Sequence, residues 1–261
     1  MSESIAFDRA ADYYDRSRVT DPVTLRETVD VLERELAGRG RVLEIGVGTG
    51  ALALPLAERP VPIVGLDLSG PMMSKLQEKA GGRAPFPLVR GDATRLPFRD
   101  DALGGAYCRW VLHLIPDWPA AVAKLGRVVR PGGVVVTEPG GFGGGWRDLW
   151  LRFGDILGDR IRPVGLDWVG QYEDLDAAFA SAGAVRRDLP PVATRNDSSL
   201  RRYFSEVDER LYSWTWRVPP EELAPAVAEV RAWAEREYPD FDAPFEPESP
   251  ILWRAYDVRQ A

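Results

Sequence analysis

The residues best placed to do chemistry lie in three short stretches. The first is Val42-Leu43-Glu44-Ile45-Gly46-Val47-Gly48-Thr49-Gly50. An apolar strand ends on an acidic residue, Glu44, and runs into a loop with glycine at 46, 48 and 50. Such a loop lets the backbone take positive φ and come close to a ligand. A tight strand–helix turn needs glycine even without one, so the loop alone does not decide. The second stretch, Gly65-Leu66-Asp67-Leu68-Ser69, puts a carboxylate at a strand end about twenty residues further on, where it can accept both hydroxyls of an adenosine ribose. The third, Val89-Arg90-Gly91-Asp92-Ala93, puts Asp92 after the next strand, where it can accept from an adenine amine while a backbone N–H meets a ring nitrogen. Carboxylates after three successive strands are hard to obtain from packing alone. They point to an adenosine-bearing cofactor. Because Gly46 to Ala51 also satisfies G-x-G-x-x-A, a nicotinamide-dependent oxidoreductase stays open as an alternative.

Proton acceptors are few. His113 is the only histidine and Cys108 the only cysteine, which excludes cysteine-based zinc clusters, multi-histidine metal sites and an intrachain disulfide framework. No metal is expected. His113 and Glu138 follow the fourth and fifth strands and are the candidate general bases. Cys108 lies inside an apolar strand and reads as inert core. Seven of nine tryptophans come after residue 140: Trp146, Trp150, Trp168, Trp214, Trp216, Trp233 and Trp253. Trp233 and Trp253 fit helix and strand packing. Trp146, Trp150, Trp214 and Trp216 suit an aromatic substrate pocket, with Arg217 beside them for an acidic group.

The elements that position these groups alternate. Asp21 and Pro22 open a helix with Leu25, Val29, Leu32 and Leu36 on one stripe, and Gly38 stops it. Strands are expected at 41–45, 61–66, 86–90, 103–109 and 134–138, with helices at 49–58, 70–79 and 117–130 between them. Gly104 and Gly105 weaken the fourth strand. Strands separated by helices imply a parallel, doubly wound α/β sheet. After Pro139 comes a glycine-rich connection over 140–145. Beyond it lie a short helix near 175–182, a strand over 184–194, helical segments over 198–216 and 221–237, and a last strand over 251–258. The division expected is an N-terminal helical lid (1–40), a core (41–140, 184–194 and 250–261), and a mainly helical cap inserted at 141–183 and 195–249.

With 261 residues, 45% of them hydrophobic, the chain can bury a sizeable core. A net charge of -7 argues against nucleic acid or a polybasic membrane contact. No segment reads as a membrane span or a signal peptide, which points to a cytoplasmic protein, monomeric or homodimeric.

The ordered set VLEIGVGTG (42–50), GLDLS (65–69), GDATRLPF (91–98), WVLHLIPDW (110–118) and RVVRPGGVVVTEPG (127–140) resembles the class I S-adenosylmethionine-dependent methyltransferases, in particular those acting on small molecules. The resemblance implies a Rossmann-like seven-stranded sheet whose antiparallel strand lies at the edge, with 251–258 the natural candidate. It implies methyl transfer from S-adenosyl-L-methionine to a small molecule with an oxygen, nitrogen or carbon nucleophile. Gly46 and its neighbours would face the methionine part and Glu44 its amino end. Asp67, with Leu68 and Met72, would hold the ribose side, and Asp92 with Ala93 the adenine. The Arg109 backbone would floor the pocket. Tyr13 to Arg18 is similar to the family's lid; Tyr14 and Arg18, four apart, would share a helix face and bring an arginine to the cofactor carboxylate. The chain departs from the family where Leu103-Gly104 replaces Phe-Asp, which bears on local packing. It also lacks the Asn-Pro-Pro-Tyr stretch of enzymes that methylate amino groups of nucleic acid or protein glutamine. A catalytically silent cofactor-binding protein remains the reading outside the enzymes.

Overall fold

The computed structural model describes residues 4–18, 20–138, 140, 144–167, 172–194, 198–245 and 250–259. A single turn, α1 (Tyr14–Ser17), precedes α2 (Pro22–Leu36). The Asp21 carboxylate accepts from the N–H groups of Val23 and Thr24, both at 3.0 Å, and so caps α2. The chain then alternates through β1 (Val42–Ile45), α3 (Ala53–Ala57), β2 (Ile63–Asp67), α4 (Gly70–Lys79), β3 (Leu88–Arg90), β4 (Leu103–Arg109), α5 (Trp118–Val128) and β5 (Val129–Glu138). Next come α6 (Gly144–Leu157), α7 (Tyr172–Ser181), β6 (Ala184–Asp188), β7 (Val192–Ala193), α8 (Leu200–Asp208), α9 (Pro220–Glu237), β8 (Pro250–Ile251) and β9 (Arg254–Val258).

The main sheet has seven strands in the order β3-β2-β1-β4-β5-β9-β6. The first five are parallel, and β9 is antiparallel to both β5 and β6. The antiparallel strand therefore sits one place in from the edge, which β6 occupies. Side chains explain the difference. Arg186, Arg187 and Asp188 of β6 are exposed and suit an edge, whereas Ala255 and Tyr256 of β9 are fully buried.

Alternating strand residues feed two cores. Leu43, Ile45, Leu66 and Cys108 pack toward α5 and α7. Val42, Ile63, Tyr107 and Val136 pack toward α2 and α3. A third core, with Leu149, Phe153, Phe204 and Val227, joins α6, α8 and α9 into a helical cap.

Four expected elements are interrupted; the strand over 184–194 breaks before Val192 into β6 and β7, which belong to different sheets. The helix after the glycine loop begins only at Ala53, because Gly48 and Gly50 hold positive φ. The helical stretch over 198–216 breaks at Arg210 (φ 58°) into α8 and a short 3-10 turn. The last strand splits around Leu252 and Trp253 into β8, which pairs with β7, and β9. Gly104 has a sharper explanation. A Cβ there would fall 1.5 Å from the Arg39 carbonyl oxygen. The Gly104 N–H also donates to the Arg41 carbonyl at 2.9 Å, so the α2–β1 connection runs directly against β4. No larger residue fits, which accounts for the departure from Phe-Asp.

Candidate functional site

Register builds the floor of the site. In β1 and β4, Glu44 lies opposite Tyr107; in β4 and β5, Arg109 lies opposite Glu138. Tyr107 and Arg109 are two apart, so all four side chains share one sheet face near the carboxyl ends. The Tyr107 hydroxyl donates to Glu44 Oε2 at 2.7 Å. Burial pushes the Glu44 carboxyl up to about 8, with the Tyr107 bond opposing. Glu44 is thus a protonated or hydrogen-bonded anchor beneath the loop at neutral pH.

The loop above it carries Gly46, Gly48 and Gly50 at φ 71°, 52° and 80°. A Cβ at Gly46 would strike Val111 Cγ2 at 2.3 Å, and one at Gly50 would strike Leu76 and Leu54. Those two serve protein packing. A Cβ at Gly48 would meet only Met72 Cε at 3.5 Å, so that position is open. Asp67 stands opposite. Its Oδ2 accepts from the Gly48 N–H at 2.7 Å and its Oδ1 from the Ser69 N–H at 2.8 Å. A carboxylate has about four acceptor positions, so room remains for two hydroxyls. Burial raises the Asp67 pKa, and the bonds from Ser69 and Gly48 pull it back. Ser69 Oγ caps α4 by accepting from the Met72 N–H at 3.2 Å, which fixes Met72 beside Gly48. The Leu68 carbonyl accepts from Arg90 Nε at 3.2 Å. Asp92 closes the turn after β3: its Oδ1 accepts from the Thr94 N–H and hydroxyl, both at 2.8 Å. Burial alone would raise its pKa, but the Thr94 bonds and Arg95 bring it below the usual carboxylate range. Ala93 is buried next to it. The donor set fits an adenosine-bearing cofactor: one oriented carboxylate for hydroxyls, a second at the third strand, and an open glycine backbone between.

The N-terminal segment lies over this end of the sheet. Tyr14 is pushed up in pKa by burial, against the charges of Arg18 and Arg109. The Arg18 guanidinium lies 5.9 Å from the Tyr14 ring and 4.7 Å from that of Tyr212 in the cap. Asp15 is the residue sequence reasoning missed. Its carboxylate accepts from the Thr49 hydroxyl at 2.6 Å and pairs with Lys79 at 2.8 Å, latching the segment to the glycine loop and α4. A second pair, Asp12–Lys75 at 3.0 Å, runs parallel. The signal was faint: one threonine between two glycines and acids in an otherwise mixed segment.

The candidate bases follow β4, in the case of His113, and close β5, in the case of Glu138. Burial, with Arg18 nearby, lowers the His113 pKa to about 3, so the ring stays neutral and weakly basic. Glu138 Oε2 accepts from Arg109 Nε at 3.3 Å and its Oε1 from the Gly140 N–H at 3.1 Å. Its pKa is raised by burial, against Arg109. Cys108 is buried, with its thiol pushed up to about 12 by burial and neighbouring carboxyls.

The late aromatic residues mostly serve the cap itself. Trp146 meets Tyr203 and Phe245 edge-on, and Trp214 meets Trp150 and Phe153. These three tryptophans pack in or against the cap core, Trp150 buried and Trp146 and Trp214 half-buried. Arg217 donates through one terminal nitrogen to the Arg160 carbonyl at 2.7 Å and the Asp159 carbonyl at 3.2 Å. Trp216 differs. Its ring meets Phe7 at 5.0 Å and carries Arg9 above it, where the N-terminal segment meets the cap. Trp253 is buried in the sheet core. Trp168 lies outside the described residues.

The profile of the methyltransferase domain family matches residues 43–137, the span that carries Glu44, Asp67, Asp92 and Arg109. A demethylmenaquinone methyltransferase of Geobacillus kaustophilus is 31% identical over 211 residues, covering 71% of this chain and 89% of the relative. The chain belongs to the class I S-adenosylmethionine-dependent methyltransferases. Another demethylmenaquinone methyltransferase, from Desulfitobacterium hafniense, is 36% identical over 143 residues, or 50% of this chain. There the chain spans about half of the relative's length, 53%. Among solved structures, the YcgJ protein of Bacillus subtilis superposes with a TM-score of 0.59 at 19% identity, covering 91% of this chain and 99% of that one. That likeness concerns the fold. Nothing in these relatives favours a nicotinamide enzyme, and the cofactor of this methyltransferase is S-adenosylmethionine. Among the described residues, no helix is long and apolar enough to cross a membrane.

Proposed function

We propose that this chain transfers a methyl group from S-adenosylmethionine to a small-molecule acceptor by in-line displacement. One observation carries the reading: the Asp67 carboxylate is oriented by the Gly48 and Ser69 N–H groups beside an open glycine backbone. When bound, the cofactor supplies an electrophilic methyl group on a sulfonium. The chain's own residues do the rest. Asp67 takes the ribose hydroxyls, Asp92 and Ala93 address the adenine, Arg18 reaches toward the carboxylate end, and the latched N-terminal segment excludes water. A strong base is not among them. His113 is a weak base and Glu138 is engaged by Arg109 and Gly140. Positioning is therefore the main source of rate, and it can supply roughly 7–11 kcal/mol in favourable cases.

Two relatives named for demethylmenaquinone, together with the net charge of -7, support a small molecule over a nucleic acid as acceptor. Trp216, at the seam of lid and cap, is the late tryptophan best placed to meet it. We infer a cytoplasmic monomer or homodimer, with the strand-bearing core separate in role from lid and cap.

Calorimetric titration with S-adenosylhomocysteine tests the cofactor, and methyl-labelled S-adenosylmethionine with an acceptor panel tests the transfer. Stabilisation by NADH but not by S-adenosylhomocysteine would overturn the reading. Binding without transfer to any acceptor would favour the catalytically silent alternative.

A further inference from the structure

Arg109 ends β4 on the face that carries Glu44 and Tyr107. Its side chain is 11% exposed and Glu138's 9%, and the single polar contact between them runs through Nε at 3.3 Å. Neither terminal nitrogen of Arg109 has a hydrogen-bond partner among the described residues. The guanidinium is also held in place. Its Cζ lies 4.2 Å from the centre of the Trp110 ring. Trp110 itself has φ 55°, a left-handed backbone that is strained for a bulky residue. Strain of this kind collects at functional sites, where surrounding structure over-determines it. Here it sets the indole as a platform under Arg109.

Arg109 lies at the carboxyl end of β4, the end of the sheet at which Asp67 closes β2, and Glu138 covers only its Nε edge. A planar guanidinium presents its remaining N–H groups as a fork matched to a carboxylate or a phenolate. An acceptor that arrives as an anion also needs no proton acceptor, which agrees with the neutral His113 and the committed Glu138.

Resting on the methyl-transfer reading, we propose that the terminal nitrogens of Arg109 bind an anionic oxygen of the acceptor, so that the substrate is an organic acid, a carboxylate or an acidic phenol. Arg109 orients that oxygen or its neighbouring carbon toward the methyl group. The nucleophile's electron pair forms the new bond to the methyl carbon as the carbon–sulfur bond breaks, and the leaving thioether takes that bond's pair. Arg109 remains protonated throughout.

The test uses the full chain saturated with S-adenosylhomocysteine, and matched probes: 2-naphthoate against 2-naphthamide, and 4-nitrophenolate against 4-nitroanisole. The anion of at least one pair should bind about ten- to a hundredfold more tightly than its neutral partner. That preference should vanish in the Arg109→Gln/Glu138→Gln double variant, which removes both charges and leaves no unpaired carboxylate. Arg109→Lys, which keeps charge but loses the fork, should retain part of it. Absence of preference in both pairs, absence of binding by all four probes, or a preference that survives the double variant would each overturn the proposal. Failure of S-adenosylhomocysteine to bind the wild-type chain would instead overturn the cofactor reading beneath it.

Discussion

The core and the cap use polar and aromatic residues in opposite ways. In the core, groups at strand ends are oriented by backbone N–H groups and keep acceptor positions open, as Asp67 does between Gly48 and Ser69. In the cap, large side chains satisfy one another: Trp150 meets Trp214, Trp214 meets Phe153, and the Glu206 carboxylate accepts from the Tyr212 hydroxyl at 2.6 Å and from Arg202 at 2.9 Å. A residue type that looks suited to ligands is therefore informative where a strand end fixes it beside open backbone. In a helical insertion it first has to build a core of its own.

The largest test of this contrast lies in the cap. Trp150→Ala should cost about 3–5 kcal/mol of stability, as for other buried aromatic truncations, yet leave S-adenosylhomocysteine affinity of the folded protein within about threefold. Denaturant unfolding and calorimetry read the two quantities. A cofactor affinity that collapses with the cap would erase the distinction. Asp67→Ala should do the reverse. Losing hydrogen bonds to a charged acceptor should weaken S-adenosylhomocysteine by roughly ten- to a hundredfold, at 1.5–3 kcal/mol for such bonds, with a small change in melting temperature. An unchanged affinity would refute the ribose role. A smaller effect is expected at the lid. Asp15→Asn weakens the Thr49 and Lys79 contacts, and S-adenosylhomocysteine should dissociate a few-fold faster in stopped-flow measurements, by about 0.5–1.5 kcal/mol. An unaltered rate would mean the latch does not restrain the cofactor side.

The subtlest prediction concerns Glu44. Its folded pKa of about 8 exceeds the ordinary 4.5, so the native state binds the proton more tightly than the unfolded chain. Stability from this group is present below pH 4.5 and is lost as pH rises from there toward 8. Glu44→Gln, which keeps an acceptor for the Tyr107 hydroxyl, should flatten that decline. Melting temperatures at pH 5 and pH 8 should converge, with roughly 2–4 °C for each kcal/mol recovered at the higher pH. Parallel profiles for the two proteins would assign the pH dependence elsewhere.

Much of the core was legible. Periodicity and capping placed α2, α4 and β4 within a residue of their observed limits, because each depends on neighbours close in sequence. Asp67 and Asp92 could be found by counting, since strand ends recur at a helix-length spacing. The long helix over 198–216 was not, because Arg210 turns left-handed to donate to the Thr215 and Val218 carbonyls. Gly104 read as a weakness in a strand and proved to be a contact with Arg39. Trp146 and Trp150 lie four apart on α6, and which rings that face meets was set by residues of α8, the 3-10 turn and Phe245, distant in sequence.

The sequence by itself determined the alternation of strands and helices, the glycine loop and the carboxylates that follow successive strands. These are local properties, fixed by periodicity of two or near four and by residues that break it. Tertiary structure alone decided the pairings. Register set Tyr107 on Glu44 and Arg109 on Glu138, though 63 and 29 residues separate them. Chain return brought Asp15 to Thr49, and cap closure brought Trp150 to Trp214 and Arg217 to the Arg160 carbonyl. A side chain's chemistry is written in its type, but whether it stays open to a ligand depends on which distant partner reaches it first.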